Sequence, residues 1–116
     1  MVTDTMVAEK VMGWHLDNPT VLPQEWCDKY GFPADIGYPW TPTTDISQAF
    51  QVVERMRELG FYFMLTEMDE WHAYFRKCEM GEDGKPWLVP SEQYHGNADT
   101  PALAICEAAL AAIKEA

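Results

Sequence analysis

The clearest hydrophobic pattern in the chain begins after Asp45. Apolar side chains recur at helical spacing from Ile46 to Met56, and polar residues, Gln48 among them, fill the positions between. Asp45 is suited to cap a helix, Gln48 to reach back to Asp45 in a capping box, and Gly60 to end the helix. The pattern therefore predicts an amphipathic helix that buries its apolar face and leaves Gln48 on the polar side.

After this helix the period of the pattern changes from helical to alternating. Residues 61–67 and 71–78 alternate between two faces, and residues 68–70, which include Asp69 and Glu70, form a turn between them. A third, short strand is predicted at residues 87–89. In the first strand one face carries Phe61, Phe63 and Leu65 and the other carries Tyr62, Met64 and Thr66. In the second strand Trp71, Ala73 and Phe75 face one way and His72, Tyr74 and Arg76 face the other.

Two further helices and one irregular segment complete the predicted organisation. Residues 3–12 form a short first helix, and a C-terminal helix begins near Pro101, with alanines that allow close packing on a sheet. Residues 13–44 contain five prolines and are predicted to be irregular, apart from a short helix at 24–30. The order of elements predicts a single α+β domain over residues 1–116, with a small antiparallel sheet covered by helices.

Four segments of the chain have a characteristic order and spacing. They are residues 11–14, residues 40–46, the pair Trp71 and Phe75, and residues 102–110. Together they resemble the phage ABA sandwich family of bacteriophage and prophage proteins, over about residues 8–113. The resemblance implies a three-layer α-β-α sandwich and a phage or prophage origin, and it implies no catalytic residues.

The net charge of the chain limits the partners that we expect, and its cysteines and N-terminal residues indicate its cellular location. The chain of 116 residues has 8 basic and 19 acidic residues, a net charge of −11, which disfavours direct binding to nucleic acid and to anionic membrane. The three cysteines form no CxxC pair, and residues 1–11 lack the apolar run of a signal peptide. We therefore expect free thiols and a cytoplasmic location in the infected host cell, with Cys106 in the core.

The sequence contains none of the motifs that would identify an enzyme. It has no P-loop, no GxGxxG and no GxSxG, and the histidines His15, His72 and His95 lack metal-ligand spacing. We therefore predict no catalytic residue, no metal site and no cofactor.

The best candidate for a binding site is the aromatic, proline-rich segment together with a few arginines. Planar rings bind planar ligands by stacking, at about 1–3 kcal/mol per base, and an arginine fork binds phosphate. In the alternative interpretation Trp14 and Trp40 fill the core. The predicted ligand-binding residues are Trp14, His15, Tyr38, Trp40, Arg55 and Arg76.

These observations and the resemblance lead to one functional prediction and two alternatives. The prediction is a non-enzymatic phage accessory protein that sequesters a small nucleotide-derived immune signal and so counters host defence. A homo-oligomer with sites at subunit contacts is compatible with it. The first alternative is an acidic nucleic-acid mimic that blocks a host nucleic-acid-binding protein. The second alternative is a hydrolase of a nucleotide signal.

Overall fold

The computed structural model describes residues 2–16, 26–27 and 40–115, and within them helices and strands follow in the predicted order. The α+β class is therefore confirmed. The elements are α1 (Asp4–Met6), a π-helical segment (Val7–Met12), β1 (His15–Leu16), β2 (Trp26–Cys27), α2 (Ile46–Glu58), β3 (Phe61–Met68), β4 (Glu70–Met80), β5 (Pro86–Ala98) and α3 (Pro101–Glu115).

The first helix begins and ends where the sequence predicts, but its second half is more loosely wound than an α-helix. The Oγ1 atom of Thr3 caps it by accepting a hydrogen bond from the backbone N–H of Met6. The π-helical segment ends at Gly13, whose φ of 75° is left-handed. The backbone N–H of Trp14 then donates to Ala8 O at 2.9 Å, which closes the end of the helix.

The N-cap predicted for α2 is present, whereas the capping box is wrong. Asp45 Oδ1 accepts a hydrogen bond from Gln48 N at 3.1 Å. The Gln48 side chain accepts from Thr41 N instead of reaching back, because Asp45 N already donates to Thr41 O at 2.8 Å. Gln48 is consequently buried, although it was predicted on the polar side. Ile46 and Phe50, predicted on the apolar face, are 40% and 45% exposed.

The antiparallel sheet has the strand order β3–β4–β5 within the described residues. Asp69, at a φ of 58°, joins β3 to β4 in a tight turn. Phe63 pairs with Phe75 across this hairpin, so the predicted division into two faces is confirmed.

Strand β5 is much longer than the strand predicted at residues 87–89. It pairs with β4 on both sides of an irregularity: Cys78 pairs with Leu88, and Arg76 pairs with Gln93. The extra β5 residues between these two pairs form a bulge around Pro90. Because proline lacks a backbone N–H, it is tolerated at an edge strand and at a bulge. This explains why the sequence pattern breaks where the strand continues.

Helix α3 packs closely on one face of the sheet, which we call the inner face. A Cβ atom on Gly96 would lie 2.4 Å from Ala104 O and 2.5 Å from Ala108 N, so the backbones of β5 and α3 are in direct contact. The π-helical segment and α2 pack against α3, and α2 also contacts β3. Phe75 and Ile105 are fully buried in this core. No helix among the described residues is long and apolar enough to cross a membrane.

The short helix predicted at residues 24–30 is wrong at its centre. Trp26 and Cys27 form a strand that pairs antiparallel with His15 and Leu16. The rest of that predicted helix, at residues 24–25 and 28–30, lies outside the described residues. Pairing with a distant segment is a tertiary contact that local helix signals do not report.

Candidate functional site

The face of the sheet turned away from the helices carries polar and aromatic side chains, and we call it the outer face. Within residues 2–16, 26–27 and 40–115, no helix packs on it. Tyr62 is 50% exposed and Met64 is 43% exposed, whereas Phe75 on the inner face is fully buried. The outer face consists of Tyr62, Met64, Thr66, His72, Tyr74, Arg76, Cys78, Gln93, His95 and Asn97.

Two histidines form a hydrogen-bonded pair on the outer face. His72 Nδ1 and His95 Nε2 are 2.9 Å apart, and the two ring planes differ by 9°. The ring centroids are 5.1 Å apart, which is the nitrogen-to-nitrogen distance plus the two ring radii. The rings therefore lie edge to edge in nearly one plane. One nitrogen donates along the line between the rings and the other accepts.

Tyr74 continues this arrangement toward β3. Its ring is nearly parallel to that of His95, with centroids 4.7 Å apart and an interplanar angle of 17°. Tyr74 also borders a shallow concavity of about 70 Å³, together with Tyr62, Met64 and Arg76. Tyr74 is half-buried, and the face of its ring that His95 does not cover is suited to stack with a planar ligand.

Arg76 differs from Arg55 and Arg57 in that it has no carboxylate partner among the described residues. It makes no hydrogen bond or ion pair with the residues that the structure describes, and its Nε atom is buried. In contrast, Arg55 pairs with Glu58, and Arg57 pairs with Glu54. Carboxylates outnumber basic residues by 19 to 8, so a half-buried arginine without a carboxylate is unexpected.

A second concavity of about 360 Å³ adjoins the first through Tyr62. Its lining combines apolar and charged residues: Arg57, Gly60, Phe61, Tyr62, Cys78, Glu79 and Met80. A hydrogen bond with Cys78, and the negative charge of the Cys78 thiolate form, raise the pKa of the Tyr62 hydroxyl. This volume falls within the range of small-molecule pockets.

The structure places the two predicted tryptophans on the helical side of the molecule. Trp14 and Trp40 meet edge to face, with centroids 4.8 Å apart and an interplanar angle of 68°. Trp40 is 6% exposed, and its Nε1 is buried without a partner among the described residues, while Trp14 is half-buried against the core. Neither ring lines the two outer-face concavities. This packing agrees with the alternative that the two rings fill the core.

The two predicted arginines do not meet. Arg55 Nε donates to Val11 O at 3.2 Å and its Nη1 pairs with Glu58, which ties it to the first helix. Arg76 lies on the opposite side of the sheet, on the outer face. The guanidinium groups of Arg55 and Arg76 therefore do not converge on one ligand site.

The remaining two predicted residues add little to a described site. His15 is exposed on β1, whose backbone pairs with β2. Tyr38 lies outside the described residues. Of the five predicted residues that the structure describes, Trp14 and Trp40 are in contact, and Arg76 alone is on the outer face.

Sequence analysis did not assign Tyr62, His72, Tyr74 and His95 to the site. The alternation of β4 placed His72 and Tyr74 on one face with Arg76, which was a usable signal. No such signal existed for His95, because the predicted third strand ended at residue 89. The pairing that brings His95 to Tyr74 depends on the longer β5.

The cysteines divide between core and surface. Burial, together with the nearby charges of Asp4 and Glu107, raises the pKa of the Cys106 thiol to about 12. Cys106 is fully buried on α3, which confirms its predicted place in the core. A thiol of that pKa stays protonated and unreactive at neutral pH.

Comparison with known proteins agrees with this architecture. The phage ABA sandwich domain matches residues 5–110. A phage protein from Bacillus cereus ATCC 14579, solved by crystallography, is similar with a TM-score of 0.60 and 21% identity, over 94% of this chain and 86% of that one. At that identity the likeness shows the fold alone. A search of curated proteins finds no match.

The family match covers most of the chain, and it agrees with the resemblance seen in the sequence. The matched residues 5–110 contain α2 and the three strands of the sheet, and they leave out Asp4 of α1 and residues 111–115 of α3. The three-strand antiparallel sheet with its helices is an α+β sandwich, as the resemblance implies, and within the described residues the helices pack on the inner face. The chain therefore belongs to the phage ABA sandwich domain family.

Proposed function

We propose that the protein binds and sequesters a small, anionic, nucleotide-derived molecule on the outer face of its sheet, and that it thereby removes a signal of host defence. The observation that carries the proposal is the half-buried Arg76, which has no partner among the described residues, beside the half-buried ring of Tyr74. In this proposal a planar base stacks on the ring of Tyr74, and a phosphate group accepts hydrogen bonds from the guanidinium group of Arg76.

Charge complementarity supports an anionic ligand of small size. The net charge of −11 repels an extended polyanion, whereas a compact anion needs only the local positive charge of Arg76. Tyr62 borders both concavities, and the larger one, at about 360 Å³, has room for a ligand of nucleotide size. Binding requires no change in the ligand, so the proposal is sequestration and not turnover.

Isothermal titration against a panel of cyclic dinucleotides and ADP-ribose derivatives tests the proposal. We expect at least one member to bind the wild-type protein. Because a charge-assisted hydrogen bond contributes about 1.5–3 kcal/mol, the substitution Arg76→Gln weakens that binding by about 10- to 150-fold. Lys10→Gln removes one exposed positive charge from the first helix and is the matched control, with less than about twofold effect.

The outcomes separate this proposal from the two other functions. No heat with any panel member, in a folded sample, overturns it. A ligand recovered intact after heat denaturation supports sequestration, and a cleaved ligand indicates a hydrolase. A protein that fails with the panel but captures a basic host protein at low salt and releases it at high salt is instead a nucleic-acid mimic.

A further inference from the structure

The outer face holds a second basic group besides Arg76, the hydrogen-bonded pair of His72 and His95. We infer that this pair takes up one proton and becomes a second cationic contact, and that the ligand carries anionic groups on both sides of its planar ring. This inference rests on the proposed function, because it concerns the same face and the same ligand.

The geometry of the pair allows it to gain one charge without moving. The neutral pair holds two N–H protons, one of which lies between His72 Nδ1 and His95 Nε2. A third proton goes to the outward nitrogen of the donor ring, and the shared hydrogen bond remains and becomes charge-assisted. A fourth proton would place an N–H group on both facing nitrogens, and their repulsion would break the hydrogen bond between the two rings. The pair therefore holds a single positive charge in its observed arrangement.

The groups around the pair favour that charge on one side and oppose it on the other. Asn97, the register partner of His72, donates through Nδ2 to Glu70 Oε2 at 3.2 Å, so a carboxylate is held on the side of His72 away from Tyr74. Thr66, opposite His72 on β3, is uncharged. Among the described residues, the charged or titratable groups at neighbouring outer-face positions are Glu70, Tyr74 and Arg76.

The positions along β4 define the ligand that this face fits. His72, Tyr74 and Arg76 occupy successive outward positions of one strand. At about 3.3 Å per residue, His72 and Arg76 are about 13 Å apart, with the ring of Tyr74 midway. A ring stacked on Tyr74 thus has one cation at each end. The chemical class is a nucleotide derivative with two phosphate groups on opposite sides of its ring system.

Proton uptake by the pair is measured on the ligand-free protein by 15N-detected NMR of the imidazole side chains. We expect the signals of His72 and His95 to change together as the pH is lowered, with one net proton for the two rings. Uptake of one proton by each ring independently would overturn the inference.

Binding is then measured by titration at pH 8 and at pH 6, with the panel member that binds and with inorganic pyrophosphate as a second probe. One charge about 7 Å from a ligand phosphate raises the affinity by about 3- to 50-fold at pH 6, depending on the local dielectric. His95→Gln removes this gain, so its affinity changes by less than about twofold between the two pH values. An equal gain in wild type and His95→Gln overturns the inference.

The failures of the two proposals are distinguishable. If a panel member binds with the same affinity at both pH values, this inference fails and sequestration stands. If no panel member binds, the sequestration proposal fails. The change in pyrophosphate affinity between pH 8 and pH 6 then shows whether the histidine pair contacts an anion. If His15→Asn removes the gain and His95→Gln does not, the second contact lies near β1 and the inference is wrong.

Discussion

The two faces of the sheet use adjacent residues of the same strands for different purposes. Phe75 and Ala73 on the inner face are fully buried, while Tyr74 between them carries a ring that borders an open concavity. On β5, Gly96 meets the backbone of α3, whereas its neighbour His95 is exposed and hydrogen-bonded to His72. The alternation of a strand thus lets one short segment contribute both to the core and to the outer face, where we propose that the ligand binds.

The faces also differ in how their arginines are paired. On the helical side, Arg55 is tied to Val11 O and Glu58. On the outer face, Arg76 has no such partner among the described residues. A half-buried charge without a partner is costly, and the proposed function rests on this feature of the outer face.

The largest predicted difference between the faces concerns thiol reactivity. Cys106 is fully buried and its pKa of about 12 keeps the thiol protonated, so labelling requires opening of the core. Cys78 is half-buried on the outer face. We expect iodoacetamide at pH 8 to label Cys78 at least about a thousand-fold faster than Cys106. Peptide mass spectrometry over time measures both rates, and similar rates would contradict the division of the faces.

The next largest effect is the loss of a core ring. Phe75→Ala removes a fully buried side chain that contacts Phe61 and Phe63, so we expect the free energy of unfolding to fall by about 3–5 kcal/mol. Met64→Ala on the outer face is the control, with a fall of less than about 1 kcal/mol, since Met64 is 43% exposed. Urea unfolding measures both, and equal effects would show that the outer face is also covered.

A smaller effect is expected at the closest approach of β5 and α3. Gly96→Ala adds a Cβ atom 2.4 Å from Ala104 O, a distance that backbone atoms must move to relieve. We expect a loss of about 1–3 kcal/mol in the free energy of unfolding. Asn97→Ala, one residue away on the outer face, loses one exposed hydrogen bond to Glu70 and costs less than about 1 kcal/mol. A neutral Gly96→Ala would show that the helix is free to shift.

The sequence predicted the parts of the fold that depend on local periodicity. Helix α2 begins after Asp45, and the β3–β4 hairpin has the predicted faces because a two-residue period assigns every side chain once the turn at Asp69 is placed. Long-range contacts were beyond local signals. Gln48 is buried because it binds Thr41, and β5 continues past Pro90 because a bulge accommodates the proline.

The candidate site was less predictable than the fold, for the same reason. Arg76 was identified from its charge and its place on a strand face. Trp14 and Trp40 were identified from their aromatic character, which does not distinguish a core ring from an exposed one, and the structure buries Trp40. His95 reaches His72 across 23 residues of chain, and this contact exists only in the folded sheet.

The smallest predicted change in stability tests the outer face most directly. Tyr74→Ala removes a cross-strand ring contact with His95, which contributes about 0.2–1 kcal/mol, so the free energy of unfolding changes little. The same substitution removes the stacking surface and lowers the affinity for the bound panel member by at least about fivefold. Tyr74→Phe keeps the ring and retains the affinity within about twofold.

Urea unfolding and calorimetric titration of these two variants separate the possible roles of Tyr74. A large loss of stability in Tyr74→Ala would mean that the ring belongs to the core, as Phe75 does. Unchanged affinity with unchanged stability would move the ligand away from Tyr74. A stable variant that no longer binds establishes that alternate residues of β4 are divided between folding and recognition, because the inner residues Ala73 and Phe75 hold the sheet in place without it.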